Sequence, residues 1–526
     1  MTWPPVLGQP QAKEVKGRVH PVPNLIPTSL AGAFLLTVAL SPSSCVPTQA
    51  EDQPNPAASG ILEPHPTGGK EPKVWSIAQT SPGATRLWAE NCASCHGQDG
   101  GGGGARTLLT RELFHQDLDR RFFDATKNGD PETGMPAFGE TLADNQIWAI
   151  VVHIRELQGR AFARQGEGVA RDGLHRGKRA TFRIDDVVTS GLRTPWGVAW
   201  LPDGRMLVTN REGYLLLVDQ GRSVKVEGIP PTADVGQGGL MAVTVHPQAA
   251  QNGWVYLALN DRNPAGRRSI TKIVRGKVTV DGDQAKWKDN QTIWQAPEDT
   301  YGSGPLHFGS RIVFDGKGHI FFCIGERGNG NLAQDLSKPN GKVFRLKDDG
   351  KVPEDNPFVG REGAIPAVWS LGHRNPQGMA FGADGRLWIT EHGPRGGDEL
   401  NEIVKGANYG WPVVSFGIDY SDAPFRVPWP SEDAGFTMPV YRWIPSTGVC
   451  GLATAKSRQF PGWEGDLLAG GLAGQCVDRI RVRDGKFVEV ERVLSGLGRV
   501  RDVALGPDGL VYVVLNTPDK VVRLVP

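Results

Sequence analysis

Gly197-Val198-Ala199-Trp200-Leu201-Pro202-Asp203-Gly204-Arg205-Met206-Leu207-Val208 places two short apolar runs on either side of an Asp-Gly step. Such a step accepts the backbone angles of a tight turn, so the stretch reads as a β-hairpin. The pattern returns as Ile312-Val313-Phe314-Asp315-Gly316 with Ile320-Phe321-Phe322, again over 379–389, and a last time over 503–513. Looser copies lie at 240–257 and 452–468. Six recurring antiparallel units predict an all-β, six-bladed propeller over 181–526, in which radial closure protects the strand edges. A pair of β-sandwiches would not require the same hairpin to recur.

Composition agrees. The 526 residues include 69 Gly and 40 Pro, about a fifth of the chain against a usual ~12%. Both residues disfavour helix interiors, which argues against a long helical bundle. Disorder is excluded by 39% hydrophobic residues and 15 Trp, enough to bury a core. The net charge of +1 gives no electrostatic case for nucleic acid as a partner.

The N-terminal part follows different rules. Residues 30–40 form an uncharged apolar run, too short to span a bilayer, after Lys13, Lys16 and Arg18. This reads as an export signal within a leader at 1–50, and places the protein in the periplasm or anchored on the outer side of a bacterial membrane. Cys45 just beyond the run is a candidate lipid anchor, although Pro42 suits such a site poorly. A Pro-rich linker follows over 51–77.

Over 78–160 the decisive motif is Cys92-Ala93-Ser94-Cys95-His96. Two thiols on one helical turn suit covalent attachment to the haem vinyl groups, and the adjacent imidazole is delivered to the iron. Met135, in Gly134-Met135-Pro136, supplies a thioether as second axial ligand, and His/Met ligation suits electron acceptance. Ser81-Pro82 can open a helix, and 141–157 has apolar residues at helical spacing. The segment resembles a small all-α class I cytochrome c domain. A zinc site on Cys92, Cys95 and His96, and a core role for Met135, are the competing readings. The glycine run 100–104 lacks the Lys-Ser/Thr of a phosphate loop and reads as a flexible loop. An Arg-rich linker is expected over 161–180.

In the propeller, the loops before and within the hairpins carry groups that strands do not need. They are Gly236-Gln237-Gly238-Gly239, Leu306-His307-Phe308-Gly309-Ser310-Arg311, Gly372-His373-Arg374-Asn375-Pro376-Gln377, 391–399 and Arg499-Val500-Arg501-Asp502. Arginines gathered at one channel mouth repel each other unless an anion sits between them.

These segments, with GHRNPQGMAF (372–381), EHGPRGGDELN (391–401) and ANYGWP (407–412), resemble the soluble pyrroloquinoline quinone (PQQ)-dependent glucose and aldose sugar dehydrogenases. The resemblance runs from about 191 to 526. It implies that Gln237, Arg374, Asn375, Arg499 and Arg501 line PQQ, a cofactor with three carboxylates and an ortho-quinone. It implies Ca²⁺ on the carbonyls of Gly393 and Pro394, hard oxygen donors of the kind that ion prefers. His307 stands at the position of the general base, with Arg374 beside it in the catalytic set and Glu326 as an orienting carboxylate. Glu399 and Asp419 resemble ligands of a second, structural calcium.

The chain departs from the pattern in one place. Ala473 stands where glucose-oxidising members carry a cofactor-binding lysine. Cys450 and Cys476 flank that stretch, either bridged or as two separate buried thiols, and Cys323 reads as core.

The expectation is an exported quinohaemoprotein. PQQ oxidises the C1 hydroxyl of an aldose, or another alcohol or aldehyde, and electrons pass through the fused haem c to a downstream cytochrome or respiratory acceptor. The alternative is a non-enzymatic propeller that binds a partner or glycan beside a separate haem module. A calcium-dependent lactonase would need a cage of side-chain carboxylates that these loops do not show.

Overall fold

The structure, a computed structural model, describes residues 82–164, 173–425, 429–430, 434–456 and 458–526. The export segment, Cys45 and the 51–77 linker lie outside the described residues. No described helix is long and apolar enough to cross a membrane.

Four helices build the N-terminal module: α1 (Ala84–Asn91), α2 (Ala93–His96), α3 (Asp119–Asn128) and α4 (Asp144–Arg164). Helix α1 buries Ala84, Leu87 and Trp88 against Ile147, Ile150, Val151 and Ile154 of α4, so the predicted apolar spacing is what joins the two. Helix α4 runs several residues into the stretch read as linker. Polar residues of its last turns are held inside the module. Arg155 pairs with Asp119 at 2.6 Å, and Gln158 Nε2 donates to the Leu108 carbonyl at 2.7 Å. Phe162 then packs on Phe114, ring centroids 5.1 Å apart.

From residue 175 onward the chain forms antiparallel meanders in a propeller-like arrangement. Three are separate four-stranded sheets, one of them Pro376–Phe381, Leu387–Glu391, Asp398–Glu402 and Tyr441–Trp443. Two more meanders, starting at Pro195–Trp200 and Leu240–Val245, merge into an eight-stranded sheet. They are joined by a short parallel pairing of Ala285 with Val226 and of Lys286 with Glu227.

The last sheet joins the two ends of this region. Thr181–Val188 pairs antiparallel with the C-terminal strand Lys520–Val525, Arg183 opposite Val525 and Ile184 opposite Leu524. The first strand of each meander packs beside the first strand of the next. The succession closes where Arg499–Leu505 meets Pro195–Trp200. The approach is close enough to exclude side chains: a Cβ at Gly451 would lie 2.5 Å from Asp502 Cα on the neighbouring strand.

The two cysteines left open by sequence are not bridged. Both are free thiols. Cys450 lies on Val449–Thr454 and Cys476 on Cys476–Arg483, with Leu467–Gly471 paired between them. Strands two apart are separated by roughly 9–10 Å, beyond disulfide reach. Cys323 is wholly buried between Phe322 and Ile324, as a core residue should be.

Candidate active site

The loops singled out in sequence converge because they occupy one end of the meanders. His307, Arg374 and Gln237 precede first strands, Arg499 and Arg501 open one, and Gly393 follows a second strand.

His307 is the best-defined group. It is 7% exposed, and its backbone sits at φ 56°, a left-handed conformation uncommon outside glycine. Two contacts hold the residue in place. Its backbone N donates to Gln237 Oε1 at 2.9 Å, and Nδ1 meets Glu326 Oε1 at 2.6 Å. Glu326 is itself buried, accepts from Gly328 N, and donates its backbone N to the Arg374 carbonyl at 2.9 Å. Burial first, and the Arg374 charge second, push the His307 pKa below its ordinary value despite the Glu326 carboxylate. The ring is therefore neutral at neutral pH, with Nε2 left for other work.

Arg374 is anchored at both ends. Its backbone N donates to Glu391 Oε1, and Nη1 donates to the carbonyls of Gly393 (3.0 Å) and His392 (3.3 Å). Its Nε is buried without a partner, as are His392 Nε2 and Arg311 Nη2. Asn375 is fully buried. Its Oδ1 accepts from Gly309 N and Gln377 Nε2, while Nδ2 faces His392 Nδ1 at 3.3 Å. Arg501 lies 4.1 Å over the Trp196 ring and donates to Asn516 Oδ1 and Gln377 Oε1. Burial lowers its pKa, with Arg499 adding repulsion, and Arg499 itself is exposed.

Sequence reasoning assigned no chemistry to His392, Gln377 or Trp196. His392 shows the local field most clearly. Burial, then Arg374, Arg501 and His307, push its pKa to about 3. The signal was present in Glu391-His392-Gly393, but one histidine in a Gly-rich loop carries no direction without the arginines around it.

The metal candidates separate. Gly393 O points to Arg374 and also accepts from Tyr420 Oη at 3.3 Å. A Cβ on Gly393 would overlap the Gly397 carbonyl, so this turn requires glycine. Pro394 O accepts from Gly397 N and Ser446 Oγ instead. Glu399 lines a cavity of about 30 Å³ together with Glu391, Arg374 and Tyr409, and burial raises its pKa to about 8. Asp419 does not line that cavity. Its Oδ1 caps Ser421 N within its own turn. Among the described residues no three His, Cys, Asp or Glu side chains gather as a metal cage. Ala473 is exposed in the hairpin after Leu467–Gly471, at the same end of the sheets, and brings no cation there.

In the N-terminal module Cys92 is buried, with its pKa raised to about 12, and Cys95 is exposed one turn on. His96 Nδ1 is buried without a partner, and Met135 is held by a two-way backbone bridge to Asp130.

Comparison with known proteins agrees with this division. Residues 192–523 match the family described as Glucose / Sorbosone dehydrogenase, and residues 80–154 match Cytochrome C oxidase, cbb3-type, subunit III. The chain is 41% identical over 345 residues to the aldose sugar dehydrogenase YliI of Escherichia coli (strain K12), covering 64% of this chain and 91% of that protein. The apo crystal structure of the soluble aldose sugar dehydrogenase from Escherichia coli superposes with a TM-score of 0.60 at 37% identity. It covers 66% of this chain and 99% of its own. The PQQ-bound aldose sugar dehydrogenase of Streptomyces coelicolor gives 0.54 at 28% identity, covering 65% and 98%.

Fold, rim and matches together define an oxidoreductase with a propeller-like dehydrogenase region and a cytochrome c module. The chain belongs to the Glucose / Sorbosone dehydrogenase family, that of the PQQ-dependent sugar dehydrogenases.

Proposed function

We propose that the chain is an exported quinohaemoprotein that oxidises the C1 hydroxyl of an aldose to the lactone. In this reading 181–526 is a six-bladed propeller, the eight-stranded sheet counting as two blades, and 78–160 is the haem c module. Residues 30–40 carry the export reading, with the enzyme periplasmic or anchored on the outer side through Cys45. The observation that carries the function is the buried His307–Glu326 pair beside Arg374, on a rim where basic donors lack partners.

The residues fit the cofactors. Arg374, Arg501 and Arg499 supply countercharge for a tricarboxylate, and the unmet donors Arg374 Nε and His392 Nε2 are what an anion would satisfy. Gln237 and Asn375 complete the set. When bound, PQQ supplies a hydride acceptor, Ca²⁺ on Gly393 and Pro394 supplies a Lewis acid, and haem c on Cys92, Cys95, His96 and Met135 supplies one-electron chemistry. In this proposal Glu399, beside Glu391, is the residue left for a second calcium, while Asp419 lies outside that cavity and is engaged in its own turn.

The chain's own residues do the remaining work. Glu326 holds His307 Nδ1, so Nε2 is the atom that takes the proton of the C1 hydroxyl. Gln237 locks the His307 backbone, and burial keeps the imidazole neutral until it accepts that proton. The sugar loses two electrons and two protons in all, and a haem held by Cys92, Cys95, His96 and Met135 would take the electrons singly for a downstream cytochrome or respiratory acceptor. Supplying PQQ and Ca²⁺ to the haem-loaded protein with aldoses, and following the haem absorption bands, tests the proposal. Haem reduction that requires both PQQ and sugar is expected. Haem that stays oxidised with every aldose, alcohol and aldehyde overturns it.

A further inference from the structure

The proposed reaction leaves unexplained how firmly the N-terminal module sits on the cofactor loop. Glu156 of α4 takes Arg395 in a two-pronged ion pair, with Oε1 to Nε and Oε2 to Nη2 both 2.6 Å. Arg395 also donates to Asp422 at 2.8 Å, and Asp422 accepts from the backbone N of Thr85 at the start of α1, again at 2.8 Å. Val152 of α4 closes on Gly396, where an added Cβ would lie 2.9 Å from its Cγ1. Trp148 stacks on Trp429 with ring centroids 4.3 Å apart. The loop held in this way is the one that begins at Gly393 and Pro394.

Two rings lie behind this seat, and one of them, His153, makes no hydrogen bond that would explain its place. Trp88 lies 6.1 Å from the His96 ring and 5.6 Å from that of His153, centroid to centroid. His153 adjoins Val152, is 4% exposed, and neither ring nitrogen has a hydrogen-bond partner. Burying two unmet polar atoms costs free energy that a leucine would not. Burial is also the main cause holding His153 below its usual pKa, with Glu156, Arg160, Asp422 and Arg395 as the charges facing it.

We infer that α4 is the electron port of the enzyme. Electrons pass from the Gly393–Arg395 side of the rim across His153 and Trp88 to the haem module, while Glu156, Arg395 and Asp422 hold loop and module in register. The inference rests on the function proposed above. Each aldose yields two electrons, and each reduces ferric to ferrous haem in turn. The first must reach an external one-electron acceptor of the cytochrome class before the second follows. Both protons leave to solvent, the hydroxyl proton by way of His307, and neither uses the port.

The test uses holoenzyme loaded with haem, PQQ and Ca²⁺. Haem reduction after mixing with an aldose is followed by stopped flow, beside turnover with an artificial dye that takes electrons from the propeller directly. In His153→Leu the dye rate is expected to hold and haem reduction to slow severalfold, with the haem spectrum and midpoint potential unchanged. His153→Phe, which keeps a ring, recovers most of the loss. In Glu156→Gln haem reduction becomes sensitive to ionic strength and viscosity, because the tethered module must now search for its seat. Equal haem reduction rates in all variants, with the dye still reduced, overturn the port and leave the function standing. No dye reduction by any aldose removes the function, and the port with it.

Discussion

His307 combines three properties that arise separately. Its left-handed backbone comes from the loop, its fixed Nδ1 from Glu326, and its lowered pKa from burial beside Arg374. His307→Ala is expected to keep PQQ binding and lose turnover by ~10²–10⁴, measured as kcat with cofactor affinity in parallel. A neutral base works above its pKa, so the lowered value moves the acid limb of kcat/KM below the ordinary histidine range near 6.5. A pH profile with its acid limb above that value would contradict the assignment. His392 adds a stability effect. Between about 6.5 and about 3 the unfolded chain binds a proton that the folded site refuses, so stability falls as pH drops through that window. His392→Gln is expected to flatten that slope in thermal melts. At this scale the candidate residues with strong chemical identity were legible in the sequence. Gln377 and Trp196 were not, because an amide and an indole acquire a role only from the guanidinium set against them.

The elements show why the hairpins repeat. Their first strands pack edge to edge, and Asp502 ties three of them. It pairs with Arg311 at 2.9 Å, accepts from Val198 N, and lies against Gly451. Asp502→Ala leaves Arg311 buried and unpaired, with an expected cost of about 3–5 kcal/mol in denaturant unfolding. Gly451→Ala forces a Cβ into Asp502, with an expected loss of about 1–3 kcal/mol read from the same curves. Helix α4 extends to Arg164, past the start of the Arg-rich stretch expected as linker, because contacts that fix it come from elsewhere in the module, such as those of Arg155 and Gln158. Their partners, Asp119 and the Leu108 carbonyl, lie far away in the chain.

For the whole molecule, closure depends on the pairing of Thr181–Val188 with Lys520–Val525. Deleting 520–526 exposes both neighbouring strand edges, and the expected outcome is loss of the cooperative melt of the propeller region, seen by circular dichroism. The amino-acid order by itself determined the recurring hairpin, the Cys92-Ala93-Ser94-Cys95-His96 cartridge and the loops that carry the reactive side chains. These are local signals, set by turn chemistry, alternation and fixed spacing. Tertiary structure alone decided which groups meet: Glu326 on His307, Arg501 on Trp196, and Cys450 held apart from Cys476 by an intervening strand. It also decided that Glu156 of the N-terminal module grips Arg395 in the loop after Gly393 and Pro394, 239 residues away. Contacts at that separation depend on how the sheets close and how α4 seats on them, and no local pattern encodes either.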